Sequence, residues 1–172
     1  PSDVWAQQRN NYSQEKEIND LLQNLKRHFS KDITLSIKDK ESTITNEISQ
    51  KNLESIFFTL EYESMIGNQG KILELSEKMK MIAGQLKRDD FVRLGDVYQV
   101  YAKGLDGHYD DAINELETQL KQALAIKDHL VAVSIYNVLS ALGPQKGEYL
   151  GSQEYIYLAT DLLDGTPYAH YI

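Results

Sequence analysis

Cysteine is absent from this 172-residue sequence, and proline occurs only three times. Without cysteine the chain can form no disulfide bond, use no thiolate in catalysis and hold no cysteine-ligated zinc. This composition is compatible with the cytoplasm and with the bacterial periplasm, of which we slightly favour the periplasm. Long hydrophobic runs are also missing, because none approaches the roughly 18–20 residues that a membrane-spanning helix needs. We therefore expect no membrane insertion in this segment.

Motifs of the common enzyme classes are missing as well. The sequence has no G-x-G-x-x-G, no P-loop, no H-E-x-x-H and no G-x-S-x-G. Its four histidines have no nucleophile or orienting acid at a recognisable spacing. His108 lies next to Asp110 and Asp111, but this pattern is more typical of a helix start, where carboxylates oppose the helix dipole, than of a metal site. We expect a non-catalytic protein with no cofactor and no metal.

Acidic residues outnumber basic ones, with 26 Asp and Glu against 18 Lys and Arg, and the formal net charge is -8. A chain of this charge is repelled by phosphate backbones and by anionic lipid. We therefore expect no nucleic-acid partner for this segment.

Glycine marks the organisation of the chain, because Gly67, Gly107 and Gly147 are evenly spaced, forty positions from one to the next. A fixed period of this length is typical of a stacked repeat. Apolar residues at helical spacing between the glycines predict three hairpins of antiparallel helices with short links. The hairpins occupy residues 51–87, 88–127 and 128–163.

The segments at both ends of the chain have their own predictions. Residues 1–50 are expected to hold a capping helix, with an apolar stripe from Ile18 to Phe29, and a link. Residues 164–172 are expected to begin a further element, since Asp164-Gly-Thr-Pro167 is typical of a helix stop followed by a new helix start. We infer that the chain is a piece of a longer protein.

The first helices of the second and third hairpins are similar in sequence. Asp96–Val100 matches Ser134–Val138, an offset slightly shorter than the glycine spacing. This alignment pairs Gln99 with Asn137, and it predicts a third turn that is slightly longer than the second. Pro144 is expected to end the first helix of the third hairpin.

The turns of the last two hairpins resemble the inter-helix pattern of the tetratricopeptide repeat, Gly-x-Tyr-x-x-Ala. The matching residues are Gly107, Tyr109 and Ala112 in the second hairpin and Gly147, Tyr149 and Ser152 in the third. In such a turn the glycine permits a tight bend, the tyrosine lies between the helices and the small residue lets them approach closely. Gly67 keeps the spacing without the other two residues, and the period exceeds the family's usual ~34 residues.

The resemblance implies an all-α fold, a right-handed solenoid of three tetratricopeptide-like hairpins preceded by one or two extra N-terminal helices. Long, divergent hairpins of this kind are similar to the sensory regions that precede bacterial diguanylate cyclase (GGDEF) or histidine kinase domains. They are also similar to the peptide-binding regions of pheromone-sensing regulators. We favour the first group because residues 127–140 resemble its hairpins. In either case the resemblance implies a peptide or protein partner.

The first helix of each hairpin would line the groove of such a solenoid. An aromatic and polar stripe on these helices is predicted to bind the partner, because amides can both donate to and accept from a peptide backbone. The predicted groove residues are Arg93, Asp96, Gln99, Tyr101, Lys103 and Asn137. The competing interpretation is packing or a solvated face.

A self-association module is the alternative function. Residues 130–142 are apolar nearly all round, so this helix could pair with a second copy and form a homodimer.

Overall fold

The computed structural model describes residues 41–146, and five helices occupy most of this range. In chain order the helices are α1 (Gln50–Ile66), α2 (Gln69–Gln85), α3 (Asp89–Leu105), α4 (Tyr109–Ala125) and α5 (His129–Lys146). The described residues contain no strand, so the predicted all-α class is confirmed for this part of the chain. The predicted helix at Ile18–Phe29 and the turn residues Gly147, Tyr149 and Ser152 lie outside the described residues.

The helices repeat at half of the glycine spacing. Helices α2, α3, α4 and α5 begin at Gln69, Asp89, Tyr109 and His129, and each of the first four helices has 17 residues. A residue with positive φ follows each of them: Gly67 (71°), Lys87 (55°), Gly107 (98°) and Lys127 (57°). The glycine spacing therefore consists of two helix-and-turn units of equal length, with glycine in one turn and lysine in the other.

The two lysines adopt a backbone conformation that costs a residue with a side chain roughly 1–2 kcal/mol. Hydrogen bonds at the helix ends offset this cost. After Lys127, for example, the amide of Asp128 donates to the carbonyl oxygen of Ala123 at 2.9 Å, which satisfies a carbonyl group that the end of a helix would leave free. Backbone hydrogen bonds at the helix end therefore stabilise a left-handed turn residue even where that residue is lysine and not glycine.

Two details of the sequence prediction are wrong. Helix α5 does not end at Pro144 but continues past it to Lys146, since a proline inside a helix can kink it without ending it. Helices α3 and α5 also begin at Asp89 and His129, so they are related by the full glycine spacing and not by the shorter offset. With this relation Asn137 corresponds to Val97, and not to Gln99.

Helix α3 lies at the centre of the described structure and packs against α2, α4 and α5. It also contacts α1, where the rings of Phe57 and Phe91 meet nearly edge to face at 6.4 Å between centroids. Gly104 lets α3 approach its neighbours, because a Cβ atom there would lie 2.7 Å from Leu142 and 3.1 Å from Ala112. Ala112 itself is fully buried, and Tyr109 packs against the same core.

Candidate functional site

The predicted groove residues lie on two different sides of α3. Arg93, Asp96, Gln99 and Lys103 contact neighbouring elements on one side, toward α2, α4 and the start of α5. Tyr101 points to the other side, toward α1, where it lines a cavity together with Asn137 of α5. The structure therefore divides the predicted set into two groups that cannot touch the same small ligand.

Arg93 is held by an ion pair within the protein. Its Nε and Nη2 atoms donate to Oδ2 of Asp128 at 2.8 and 2.6 Å. Asp128 is only 3% exposed, and its other oxygen, Oδ1, accepts from the amide of Val131 in the first turn of α5 at 3.4 Å. The guanidinium therefore connects α3 to the start of α5.

Asp96, Gln99 and Lys103 line an open polar depression between α3 and α4, with a volume of about 450 Å³. Lys80 of α2 lies 2.5 Å from Asp96 Oδ1 and donates to Gln99 Oε1 at 3.1 Å. Lys103 lies 3.7 Å from Glu115 of α4. The charged groups Asp96 and Lys103 of this depression already have partners of opposite charge within the chain. The buried Oε1 atom of Gln119, which also lines the depression, has no hydrogen-bond partner among the described residues.

The cavity on the other side of α3 is formed by the first helices of the predicted hairpins, α1, α3 and α5. Its volume is about 110 Å³. It is lined by Glu61, Ser64, Met65, Tyr98, Tyr101, Asn137, Val138 and Ala141. This is the face that the sequence predicts as the groove, although only Tyr101 and Asn137 of the predicted residues line the cavity.

Two tyrosines of α3 bond to α1 at this cavity. The hydroxyl of Tyr98 donates to the carboxylate of Glu61, and that of Tyr101 donates to the carbonyl oxygen of Ser64 at 3.1 Å. Both rings are almost fully buried. The hydroxyl of Ser64 is buried and has no hydrogen-bond partner among the described residues. The cavity thus combines aromatic walls with polar atoms that are only partly satisfied.

Burial shifts the protonation equilibria of these groups. The pKa of Glu61 is raised by burial, and the hydrogen bond from Tyr98 lowers it in part. The pKa of Tyr98 is raised well above its ordinary value by burial and then by the nearby charge of Glu61. Burial and the same carboxylate raise the pKa of Tyr101. Both phenols therefore remain protonated donors at neutral pH.

The rim of the cavity is accessible to a partner. Asn137 is exposed on α5, and Met65 at the end of α1 is 67% exposed. The cavity therefore has an amide and a flexible apolar side chain at its entrance.

Glu61 and Ser64 were missed by the sequence prediction. Glu61 follows Phe57 by one helical turn and is half-buried, so it lies at the edge of the buried face of α1, where an apolar side chain is expected. A carboxylate on the line of an apolar stripe was the signal that could have identified it.

Neither a metal site nor a membrane-spanning helix is found in residues 41–146. No three His, Asp or Glu side chains in this range are grouped so that they could hold a metal ion. No helix there combines the length and hydrophobicity needed to cross a bilayer.

Comparison with known proteins gives no relative. No protein-family model, no curated protein and no solved structure matches the chain. The geometry of the two faces of α3 therefore carries the functional argument.

Proposed function

We propose that this chain is a non-catalytic interaction module that binds a peptide or a protein segment across the face formed by α1, α3 and α5. The observation that carries this proposal is the cavity of about 110 Å³ on that face. Sites for small-molecule ligands usually measure about 300–1,000 Å³, so this cavity fits the end of one side chain. A peptide that lies across the three helices and inserts one side chain is the best match.

The chemistry of the cavity rim supports a peptide. The amide of Asn137 can donate to and accept from a peptide backbone. Tyr98 and Tyr101 form rigid aromatic walls of the cavity, and tyrosine is common at the energetic centre of interfaces. Met65 can adapt its flexible side chain to different partners.

Self-association receives less support. That alternative depends on the apolar surface of α5, but every residue of this helix from Leu130 to Tyr136 is buried within the chain itself. Little apolar area of this segment is therefore left for a second copy.

In a longer protein, such a module would act as the sensory region of a bacterial signalling protein, as the resemblance to tetratricopeptide-like sensory regions implies. Peptide binding across α1, α3 and α5 would favour one relative arrangement of these helices. An attached output domain would then respond to that arrangement. The peptide can shift the equilibrium between two arrangements of the helices only by as much as its binding free energy differs between them.

Selection of binders from a phage-displayed library of random peptides tests the proposal. We expect enriched peptides to bind the wild-type chain and to lose roughly two- to tenfold in affinity with Asn137→Ala, the effect of one neutral hydrogen bond. Asn114→Ala, which removes an exposed asparagine from α4, is the matched control and should bind normally.

Two results would contradict the proposed site. The first is a selection that enriches no peptide. The second is a set of peptides that tolerate Asn137→Ala but are weakened by Gln99→Ala, since this pattern would move the binding site to the depression between α3 and α4.

A further inference from the structure

The carboxylate of Glu61 differs from those of Asp90 and Asp128 in its bonding partner. Its hydrogen bond comes from the neutral hydroxyl of Tyr98. Asp90 and Asp128, by contrast, each lie within 2.8 Å of an arginine Nη2 atom. Glu61 is half-buried, and no cation lies beside it among the described residues. A partly desolvated carboxylate of this kind attracts positive charge.

The surroundings of Glu61 suit a cation that enters from solvent. Tyr98 and Tyr101 contribute aromatic rings to the cavity, and the electron-rich faces of such rings attract ammonium and guanidinium groups. The hydroxyl of Ser64, which has no partner among the described residues, adds a further hydrogen-bond acceptor. The whole chain has a net charge of -8, which draws cations toward it over longer distances.

We propose that the cavity between α1, α3 and α5 binds the charged end of a lysine or arginine side chain of the partner peptide, with Glu61 as its counter-ion. This inference rests on the proposed function and adds the chemical class of the inserted side chain. The volume of about 110 Å³ admits the end of one such side chain, while Asn137 at the rim holds the adjacent peptide backbone.

Small amino-acid probes test the inference without a known partner. The probes are Nα-acetyl-lysine methylamide, Nα-acetyl-arginine methylamide and, as the uncharged match, Nα-acetyl-norleucine methylamide. Titration of the full chain carrying ¹³C-labelled tyrosine, followed by NMR, reports on Tyr98 and Tyr101 directly. We expect saturable shifts of these two signals with at least one cationic probe and none with the norleucine probe.

Charge changes at the cavity give the decisive comparison. Glu61→Gln keeps the side-chain shape and should weaken the cationic probe by roughly tenfold or more. Glu77→Gln removes the same charge from an exposed position on α2 and should change the affinity little. If Glu61→Gln does not fold, Asn137→Asp and Asn137→Lys change the charge at the exposed rim, and they should strengthen and abolish binding, respectively.

The failures of the two proposals are distinguishable. If the cationic probes cause no saturable shift, or if norleucine binds equally well, the cation site is refuted even where selected peptides bind at Asn137. If the probes bind with the expected charge dependence while the peptide library yields nothing, the cation site stands and the peptide-binding function is refuted.

Discussion

The ion pair between Arg93 and Asp128 gives a direct test of how the repeat units are joined. In Asp128→Asn, the amide oxygen can still cap α5 through the amide of Val131, because asparagine and aspartate are similarly good at helix N-caps. The amide nitrogen would instead face the guanidinium, so donor would meet donor. The two hydrogen bonds at 2.8 and 2.6 Å would be lost.

The expected cost follows from the burial of the two partners. Hydrogen bonds to charged groups contribute about 1.5–3 kcal/mol, and breaking a buried ion pair costs about 3–5 kcal/mol. Asp128 is 3% exposed, but the side chain of Arg93 is 37% exposed, so solvent screening places the effect near the lower end. We expect Asp128→Asn to lower the free energy of unfolding by about 2 kcal/mol, which corresponds to a fall in Tm of roughly 4–8 °C.

Urea unfolding followed by far-ultraviolet circular dichroism measures this change, together with a thermal melt. Lys103→Met is the matched control, because Lys103 and Glu115 are each about half exposed and 3.7 Å apart; it should cost about 0–1 kcal/mol. The double variant with Arg93→Met should cost less than the sum of the single changes. An Asp128→Asn protein within about 0.5 kcal/mol of wild type would refute the assigned role of the pair.

Two further predictions concern packing and pH. Gly104→Ala should destabilise the protein by about 1–3 kcal/mol, because the new methyl group would overlap its neighbours. Gly84→Ala, where the new methyl group meets open space, should stabilise the protein by about 0.5–1 kcal/mol. Urea unfolding midpoints that move in the same direction for both variants would contradict this prediction. Burial raises the pKa of Glu61 in the folded state, so the wild-type protein loses stability as the pH rises from the ordinary glutamate pKa to the raised one. Glu61→Gln has no such group at this position and should therefore gain stability relative to wild type over the same pH range. Unfolding curves measured across this range check the trend, and a difference that is independent of pH would contradict it.

The predicted helices depended on local information, which is why most of their positions agree with the structure. Apolar spacing and the turn glycines predicted helices in the part of the chain where the structure places all five. The shorter offset between α3 and α5 came from aligning similar residues inside the two helices. It does not give the spacing of the helix starts, because helix ends are set by caps and turns. Lys87 and Lys127 take the left-handed turn position, and a lysine in a sequence does not by itself predict such a turn.

The candidate site was harder to predict because both stripes of α3 have plausible binding chemistry. Asp96, Gln99 and Lys103 are polar and periodic, so they were the natural choice for a groove. The structure places them against charged partners from α2 and α4. Periodicity shows which residues share a face of a helix, but it does not show which neighbouring helix that face meets.

The all-α class and the regular repeat follow from the sequence alone, since helical period and turn residues act over a short stretch of chain. The composition of the cavity depends on contacts between distant residues, such as Glu61 and Tyr98, which are 37 positions apart. Such a contact exists only after α1 and α3 have packed side by side. The tertiary structure therefore decided that a carboxylate of α1, two tyrosines of α3 and an amide of α5 share one small cavity.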